Sequence, residues 1–503
     1  MLFHSYTFLF LFLPLAWAGF YACNGILGRR AGRAWLLGAS LVFYAWWNPI
    51  HLPLLLGSVV VNFWLARAVG DERREAGVRK RLMVLGVVAN VGALAWFKYL
   101  DFVLRSTLGT LGYEVEPTGI MIPLAISFFT FQQIAYIVDA YKEPGRARSF
   151  MDYALFVTFF PQLVAGPIVH HSELMPQIAG GEPYRARTSN LSIGMTMFIL
   201  GLFKKVVIAD EIAQWPDAIF GAAGRGDAPT TIQAWIGMLG FTMQVYFDFS
   251  GYSDMAIGLA RMFGIRLPMN FDSPLKATGI SEFWRRWHMT LSRFLKQYVY
   301  VPLGGGRAGR ARGYMNLVIT MLVSGLWHGA AWTFVAFGLL HGIYLVIQQI
   351  WSRRFRLKPD APQWRRTFRC AWARLLTFMA FAFSLILFRS SSFEGAWLML
   401  KGVVGAGASE GSGVVSVDQT RALIWIGSAW IIAWTMPNVQ EFMRRWSPAL
   451  DWSPSRTKWR FWTLQVAYPA WGPNPLWAVP LVAMLVWSVL SLDRVAIFVY
   501  WQF

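Results

Sequence analysis

The chain has 503 residues, of which 56% are hydrophobic, 17% aromatic and only 14% charged. Soluble globular domains carry about 25% charged residues, so this composition excludes an ordinary soluble fold and specifies an all-α polytopic membrane protein. The 46 Lys and Arg against 26 Asp and Glu leave a net charge of +20, but the excess lies in short loops between apolar runs, where it sets topology rather than pointing to nucleic acid.

Apolar segments run near 5–27, 34–49, 51–69, 82–104 and 119–139. Phe8 to Ala18 ends in Ala-Trp-Ala, yet no Lys or Arg precedes it, so it reads as a first membrane helix and not as a cleaved signal. Arg29, Arg30 and Arg33 follow the first segment, Asn48-Pro49 marks a nearly uncharged turn, and Arg67 to Arg81 is strongly basic. The connection 105–118 is nearly neutral and Lys142 to Arg148 is basic again. This alternation places the N-terminus outside and the basic loops in the cytoplasm.

Residues 151–169 are apolar but interrupted by Pro161, Gly166 and Pro167, the pattern of a broken or re-entrant element, which only protein or a cavity can satisfy at membrane depth. Segments 190–209 and 231–262 follow. The block 263–313, with Arg285, Arg286, Arg293, Lys296, Arg307, Arg310 and Arg312, is too polar to span and reads as cytoplasmic or dipping in from that side. Segments 314–338 and 339–351 precede the basic stretch Arg353 to Arg374, and 375–388, 394–406, 421–436 and 476–493 complete the chain. The Gly/Ser-rich stretch 403–417 reads as an exterior loop and Arg444 to Arg460 as a cytoplasmic one. Counted by length, these are roughly eleven to thirteen membrane elements in a single integral membrane domain spanning 1–503, without an internal repeat. Cys23 and Cys370 form no disulfide framework.

Of seven histidines, two stand in telling surroundings. His328, in Ser324-Gly-Leu-Trp-His-Gly329, lies between Leu317 and Phe337 in an apolar stretch, where a protonatable group is a functional-site hypothesis by default. A neutral imidazole there can act as a general base on a hydroxyl, and Gly325 and Gly329 would leave room for backbone or substrate. His288 ends Trp284-Arg-Arg-Trp-His, a stretch resembling an interfacial helix with Trp at headgroup depth. Either His288 snorkels from that helix, or Arg285 and Arg286 meet an anionic donor while His288 lines a route toward His328, with Trp287 and Trp327 as an apolar wall.

Tyr246-Phe-Asp-Phe-Ser-Gly-Tyr-Ser-Asp254 carries Asp248 and Asp254 near the end of a membrane segment. An ion pair with an arginine and a catalytic role are both open, and Ser250, Gly251 and Ser253 suggest a helix break or cavity lining. Adjacent His170 and His171 point about 100° apart on a helix and make a poor metal pair. His4 and His51 read as interfacial, His341 as a packing or supporting residue. No zinc spacing, P-loop or dinucleotide fingerprint is present.

Read in order, Phe8 to Pro14, Phe43-Tyr-Ala-Trp-Trp47, Phe97-Lys-Tyr99, Pro123 to Tyr141, Phe159 to Pro167, Tyr246 to Gly258, Glu282 to Gly305, Ser324 to Gly329 and Leu387-Phe-Arg-Ser390 resemble the membrane-bound O-acyltransferase (MBOAT) superfamily, and within it the bacterial alginate O-acetyltransferase branch. The likeness covers most of residues 1–395; residues 396–503 rest on hydropathy alone. It implies an MBOAT-type helical fold around a transmembrane tunnel, with re-entrant or interfacial helices, in the bacterial inner membrane. The family's invariant histidine maps onto His328 and a second one onto His288. Trp284, Arg285, Arg286, Trp287, Ser324, Trp327, Tyr246, Asp248 and Asp254 become candidate substrate- or tunnel-binding residues, with no metal.

The implied reaction moves acetyl from a cytoplasmic thioester, acetyl-CoA or another acetyl thioester, to hydroxyls of an extracytoplasmic polysaccharide of alginate type, without a bound cofactor. A periplasmic acetyltransferase partner would complete the transfer. Peptidoglycan, cellulose or another envelope polymer is the alternative acceptor. A transporter or flippase is the alternative class, and it predicts inverted repeats with paired broken segments.

Overall fold

In lipid every backbone N–H and C=O must be satisfied within the segment, which leaves helices as the solution for apolar runs. The computed structural model describes the chain outside residues 146–148, 181–184, 308, 356–361, 410–415, 453–469 and 495–503, and among the described residues every regular element is helical. Parts of the basic stretches 142–148 and 444–460 and of the Gly/Ser-rich stretch 403–417 thus lie outside the described residues. The chain divides into two compact units, Met1–Phe198 with Met255–Pro268, and Ile199–Asp254 with Met269–Phe503.

The first unit contains α1 (Thr7–Leu27), α2 (Arg29–Ala45), α3 (Leu52–Val69), α4 (Ala76–Leu111), α5 (Ile126–Lys142), α6 (Phe150–Thr158), α7 (Phe160–Leu163) and α8 (His171–Ala179). Gly28 separates α1 from α2 at φ 88°, a conformation that costs a glycine nothing. Buried amides join α3, α4 and α5. Asn62 donates to Gln133 Oε1 at 2.6 Å, Ser58 donates to the same oxygen at 2.7 Å, and Asn90 donates to Asn62 Oδ1 at 2.6 Å. The 151–169 stretch is broken as its prolines imply: α6 ends at Thr158, Phe159 leaves the helical region, and Pro161 enters the first turn of α7. The side chains of His4 and His51 are buried and do not face the interface. His170 precedes α8, and both its ring and that of His171 lie within 4 Å of Asp139, at 3.9 and 3.6 Å.

Two of the three unit boundaries fall inside α9 (Thr188–Gly224) and α10 (Thr231–Met262), and the third follows Pro268. The second unit continues with α11 (Ile280–Arg286), α12 (Met289–Leu295), α13 (Arg310–His328), α14 (Trp332–Arg354), α15 (Gln363–Arg389), α16 (Phe393–Val403), α17 (Gln419–Thr435), α18 (Val439–Phe442) and α19 (Pro475–Leu490). Among the described residues, α1, α3 with its leading turn, α4, α9, α14 and α15 are long and apolar enough to cross a bilayer. The protein is a multi-pass membrane protein.

Two local expectations change. The apolar run 314–351 divides at Gly329–Ala331, not near 338, because Gly329 and Ala331 are extended (φ −161° and −148°) although neither is polar. Hydropathy cannot register such a break. His328 therefore ends a helix and does not sit mid-span. Asp248–Asp254 contains no break either: α10 runs unbroken, and Gly251 lets the Gly201 carbonyl approach, since a Cβ there would sit 2.7 Å from that oxygen.

Candidate active site

The polar block after α10 folds into short helices, and its backbone does something the sequence does not announce. α11 ends at Arg286, Trp287 is extended, and His288 adopts the left-handed region at φ 41°, ψ 54° before α12 begins. A non-glycine residue held there costs on the order of 1–3 kcal/mol, a strain that concentrates at functional sites. Two backbone bonds clamp it: Asp272 N donates to Arg286 O and Met289 N to Asn270 O, both at 2.9 Å. The interfacial-helix reading of 283–288 is thereby corrected. Trp284 and Trp287 are buried, and His288, fully buried, does not snorkel. Burial pushes its imidazole down to about 3, so the ring is neutral.

Trp327 packs against both histidines. Its ring centroid is 5.6 Å from that of His288 and 5.0 Å from that of His328. Phe249 stacks edge-on against His288 at 4.8 Å, while Phe388 and Phe337 flank His328 at 5.2 and 6.1 Å. Ser324, one turn before His328 on α13, is fully buried, and its hydroxyl has no hydrogen-bond partner among the described residues. The space beside Gly325 and Gly329 is not left for substrate. A Cβ at Gly325 would overlap the Phe334 carbonyl and one at Gly329 the Phe334 ring, so both glycines admit α14. Small residues at such crossings let membrane helices approach closely.

Trp284 and His341 form a closed relay. The Trp284 indole can only donate, and it meets His341 Nδ1 at 3.2 Å. His341 therefore carries its proton on Nε2, which faces Ser384 Oγ at 2.9 Å, and Ser384 donates onward to Phe381 O at 2.6 Å. Both ring nitrogens are used, so His341 ties α11, α14 and α15 together. Trp287 packs on Phe283, Phe271 and Phe381 at 5.5, 5.1 and 5.0 Å, and reaches Tyr246 at 6.4 Å.

Asp248 and Asp254 are paired with lysines, not arginines. Lys205 Nζ lies 2.9 Å from Asp248 and 2.6 Å from Asp210, and Lys204 Nζ lies 2.7 Å from Asp254. Gln440 donates to the other Asp254 oxygen at 2.8 Å, and Lys204 sits 5.8 Å over the Tyr246 ring. Both lysines belong to the π-helical stretch Phe203–Ala209 inside α9. The signal was present, since Lys204-Lys205 interrupts an apolar run and an intramembrane charge needs a partner. Of the arginine pair, Arg285 is exposed, whereas Arg286 is held by Glu282 at 2.8 Å and the Asp272 carbonyl at 3.2 Å. Among the described residues no group of three His, Cys, Asp or Glu could hold a metal ion.

The residues from Lys204 to Phe388 all fall within 140–392, the span matched by the profile of the membrane-bound O-acyltransferase family. A peptidoglycan O-acetyltransferase of Helicobacter pylori is 44% identical over 436 residues, 80% of each chain. This chain belongs to the membrane-bound O-acyltransferase family. A probable alginate O-acetylase of Azotobacter vinelandii is 40% identical over 407 residues, 79% of this chain and 77% of its own. A teichoic acid D-alanyltransferase of Streptococcus thermophilus is 28% identical over 277 residues, 52% of this chain and 65% of its own. The protein is an O-acyltransferase of the membrane, and membership of the family agrees with the resemblance read from the motifs.

Proposed function

We propose that the protein transfers acetyl groups from a cytoplasmic thioester donor toward hydroxyls of an extracytoplasmic envelope polysaccharide, with His328 and His288 at the reaction centre. The observation that carries this reading is the packing of two buried histidines against the ring of Trp327, one at a helix end and one in a strained turn. Acetyl-CoA, or another acetyl thioester, is the donor. Exposed Arg285 meets its phosphates, and Ser324 lines the approach to His328.

The acceptor oxygen attacks the thioester carbonyl while the neutral His328 ring removes the hydroxyl proton. The carbon–sulfur bond then breaks, the new ester bond stays with the acceptor, and the proton passes to the departing sulfur, leaving a free thiol. In the alternative route the His328 ring attacks the thioester carbonyl, the carbon–sulfur bond breaks and the ring's displaced proton goes to the sulfur; the acceptor oxygen then attacks the acetyl-imidazole, the carbon–nitrogen bond breaks and the hydroxyl proton returns to the ring. The named relatives act on peptidoglycan and alginate, which supports a hydroxylated glycan polymer as acceptor, with a periplasmic acetyltransferase partner completing its modification. The charge alternation supports a bacterial cytoplasmic membrane location with the N-terminus outside.

Release of free thiol from acetyl-CoA by the purified protein in lipid nanodiscs tests the assignment. His328→Ala is expected to abolish release while the amount of protein in the membrane is unchanged. Full turnover in that variant overturns the assignment.

A further inference from the structure

Asn270 belongs to none of the motifs that drew attention to the site, yet it is completely buried and bonded on every side. Its backbone carbonyl accepts from Met289 N at 2.9 Å. Its side-chain Oδ1 accepts from Thr290 Oγ1 at 2.9 Å and from Thr290 N at 3.4 Å, and lies 3.0 Å from His288 Nδ1. Its Nδ2 donates to Ser253 Oγ at 3.1 Å.

These partners settle which way the amide points. A backbone N–H can only donate, so the Asn270 atom facing Thr290 N is the oxygen. An oxygen with no hydrogen of its own cannot donate to an imidazole, so His288 Nδ1 must carry the proton. In the neutral ring the lone pair then lies on Nε2. This is the opposite tautomer from His341, whose Nδ1 accepts from Trp284.

We infer that Asn270 is a positioning residue of the active site: it clamps the left-handed turn at His288 and fixes its tautomer so that Nε2 is the basic atom presented to the reaction. This rests on the proposed role of His288. An amide suits the task because it accepts the Nδ1 proton without adding negative charge, and so leaves the ring neutral. The titratable groups on the elements around His288 include Asp248 and Asp254 of α10, each paired with a lysine, Tyr246 and Tyr252 of the same helix, Glu282, Arg285 and Arg286 of α11, Arg293 of α12, Arg310, Arg312, Tyr314 and His328 of α13, and Asp272 of the loop before α11.

The test compares Asn270→Ala and Asn270→Asp with the wild type, as full chains in nanodiscs with acetyl-CoA, and reads the ring nitrogens directly by 15N NMR of histidine-labelled protein. Asn270→Ala is expected to lower kcat about 100-fold, the scale of a small misplacement of a reacting group, with KM for acetyl-CoA unchanged. In Asn270→Asp the carboxylate keeps the hydrogen bond but favours the imidazolium, so the ring's pKa rises and activity is lost on the acid side at higher pH. The acid limb of kcat/KM moves up by about 1–3 pH units, the effect of an adjacent opposite charge. The wild-type spectrum, with the His288 signals identified by their loss in His288→Asn, is expected to show protonated Nδ1 and bare Nε2.

Wild-type kcat and pH profile in both variants overturn the inference, as does protonated Nε2 at His288. If either variant fails to fold, the wild-type tautomer alone decides. Full activity in His288→Asn instead overturns the role of His288 itself, a separate failure.

Discussion

In the first unit, the polar cluster of Ser58, Asn62, Asn90 and Gln133 joining α3, α4 and α5 is made of amides and a hydroxyl that hydrogen-bond one another. In the second, a cluster of buried polar groups is made of imidazoles, lysines and carboxylates. In both clusters these contacts offset the cost of taking polar atoms away from water. Amides bring donor and acceptor together and do not titrate, so the Asn62–Gln133 knot holds α3, α4 and α5 equally well at any pH. An imidazole can take up or release a proton, and the second unit keeps three of them, His288, His328 and His341, among aromatic rings. The difference separates polar groups that hold helices together from polar groups that can perform chemistry.

The sharpest way to break this comparison is His288→Asn. The shorter amide keeps a donor near the place of Nδ1 but has nothing at Nε2. Thiol release is expected to fall about 10²- to 10⁴-fold, the range for loss of a general acid or base, with little change in thermal unfolding. Wild-type turnover would make His288 a structural residue like those of the first unit.

Asn62→Leu strikes the other side. It leaves Gln133, Ser58 and Asn90 short of partners, and the expected loss is about 1–3 kcal/mol of stability. Thermal unfolding in detergent would register it, while turnover per folded molecule stays at the wild-type value. A fall in turnover greater than the fall in folded protein would show that the amide knot does more than hold helices.

The smallest effect separates two neighbours. Arg285→Gln is expected to raise KM for acetyl-CoA by a few-fold, in keeping with about 1 kcal/mol or less for an exposed charge, without lowering thermal stability. Arg286→Gln is expected to do the reverse, because its guanidinium is already held by Glu282 and the Asp272 carbonyl. Equal effects on KM from both would show that the arginine pair acts as one patch.

Several features were legible from residue order alone. Pro161 marked the interruption after α6, and the cost of an ionisable group in an apolar run singled out His328 and required partners for Asp248 and Asp254. The identity of those partners was not legible, because Lys204 and Lys205 lie 50 and 43 residues from Asp254 and Asp248 along the chain. The break at Gly329–Ala331 escaped because glycine and alanine do not lower hydropathy enough to mark an end. Gly325 and Gly329 read as room for backbone or for substrate, and it is α14, through its backbone and the Phe334 ring, that takes the space.

Composition and hydropathy by themselves determined a helical membrane protein, since apolar runs in lipid must close their own hydrogen bonds, and they marked the histidines that were out of place there. Which nitrogen of His288 and of His341 carries the proton was decided only by the tertiary structure. Trp284 reaches His341 across 57 residues, and Asn270 reaches His288 across 18. A tautomer is set by the atom facing the ring in space, and that atom is chosen by packing rather than by sequence position.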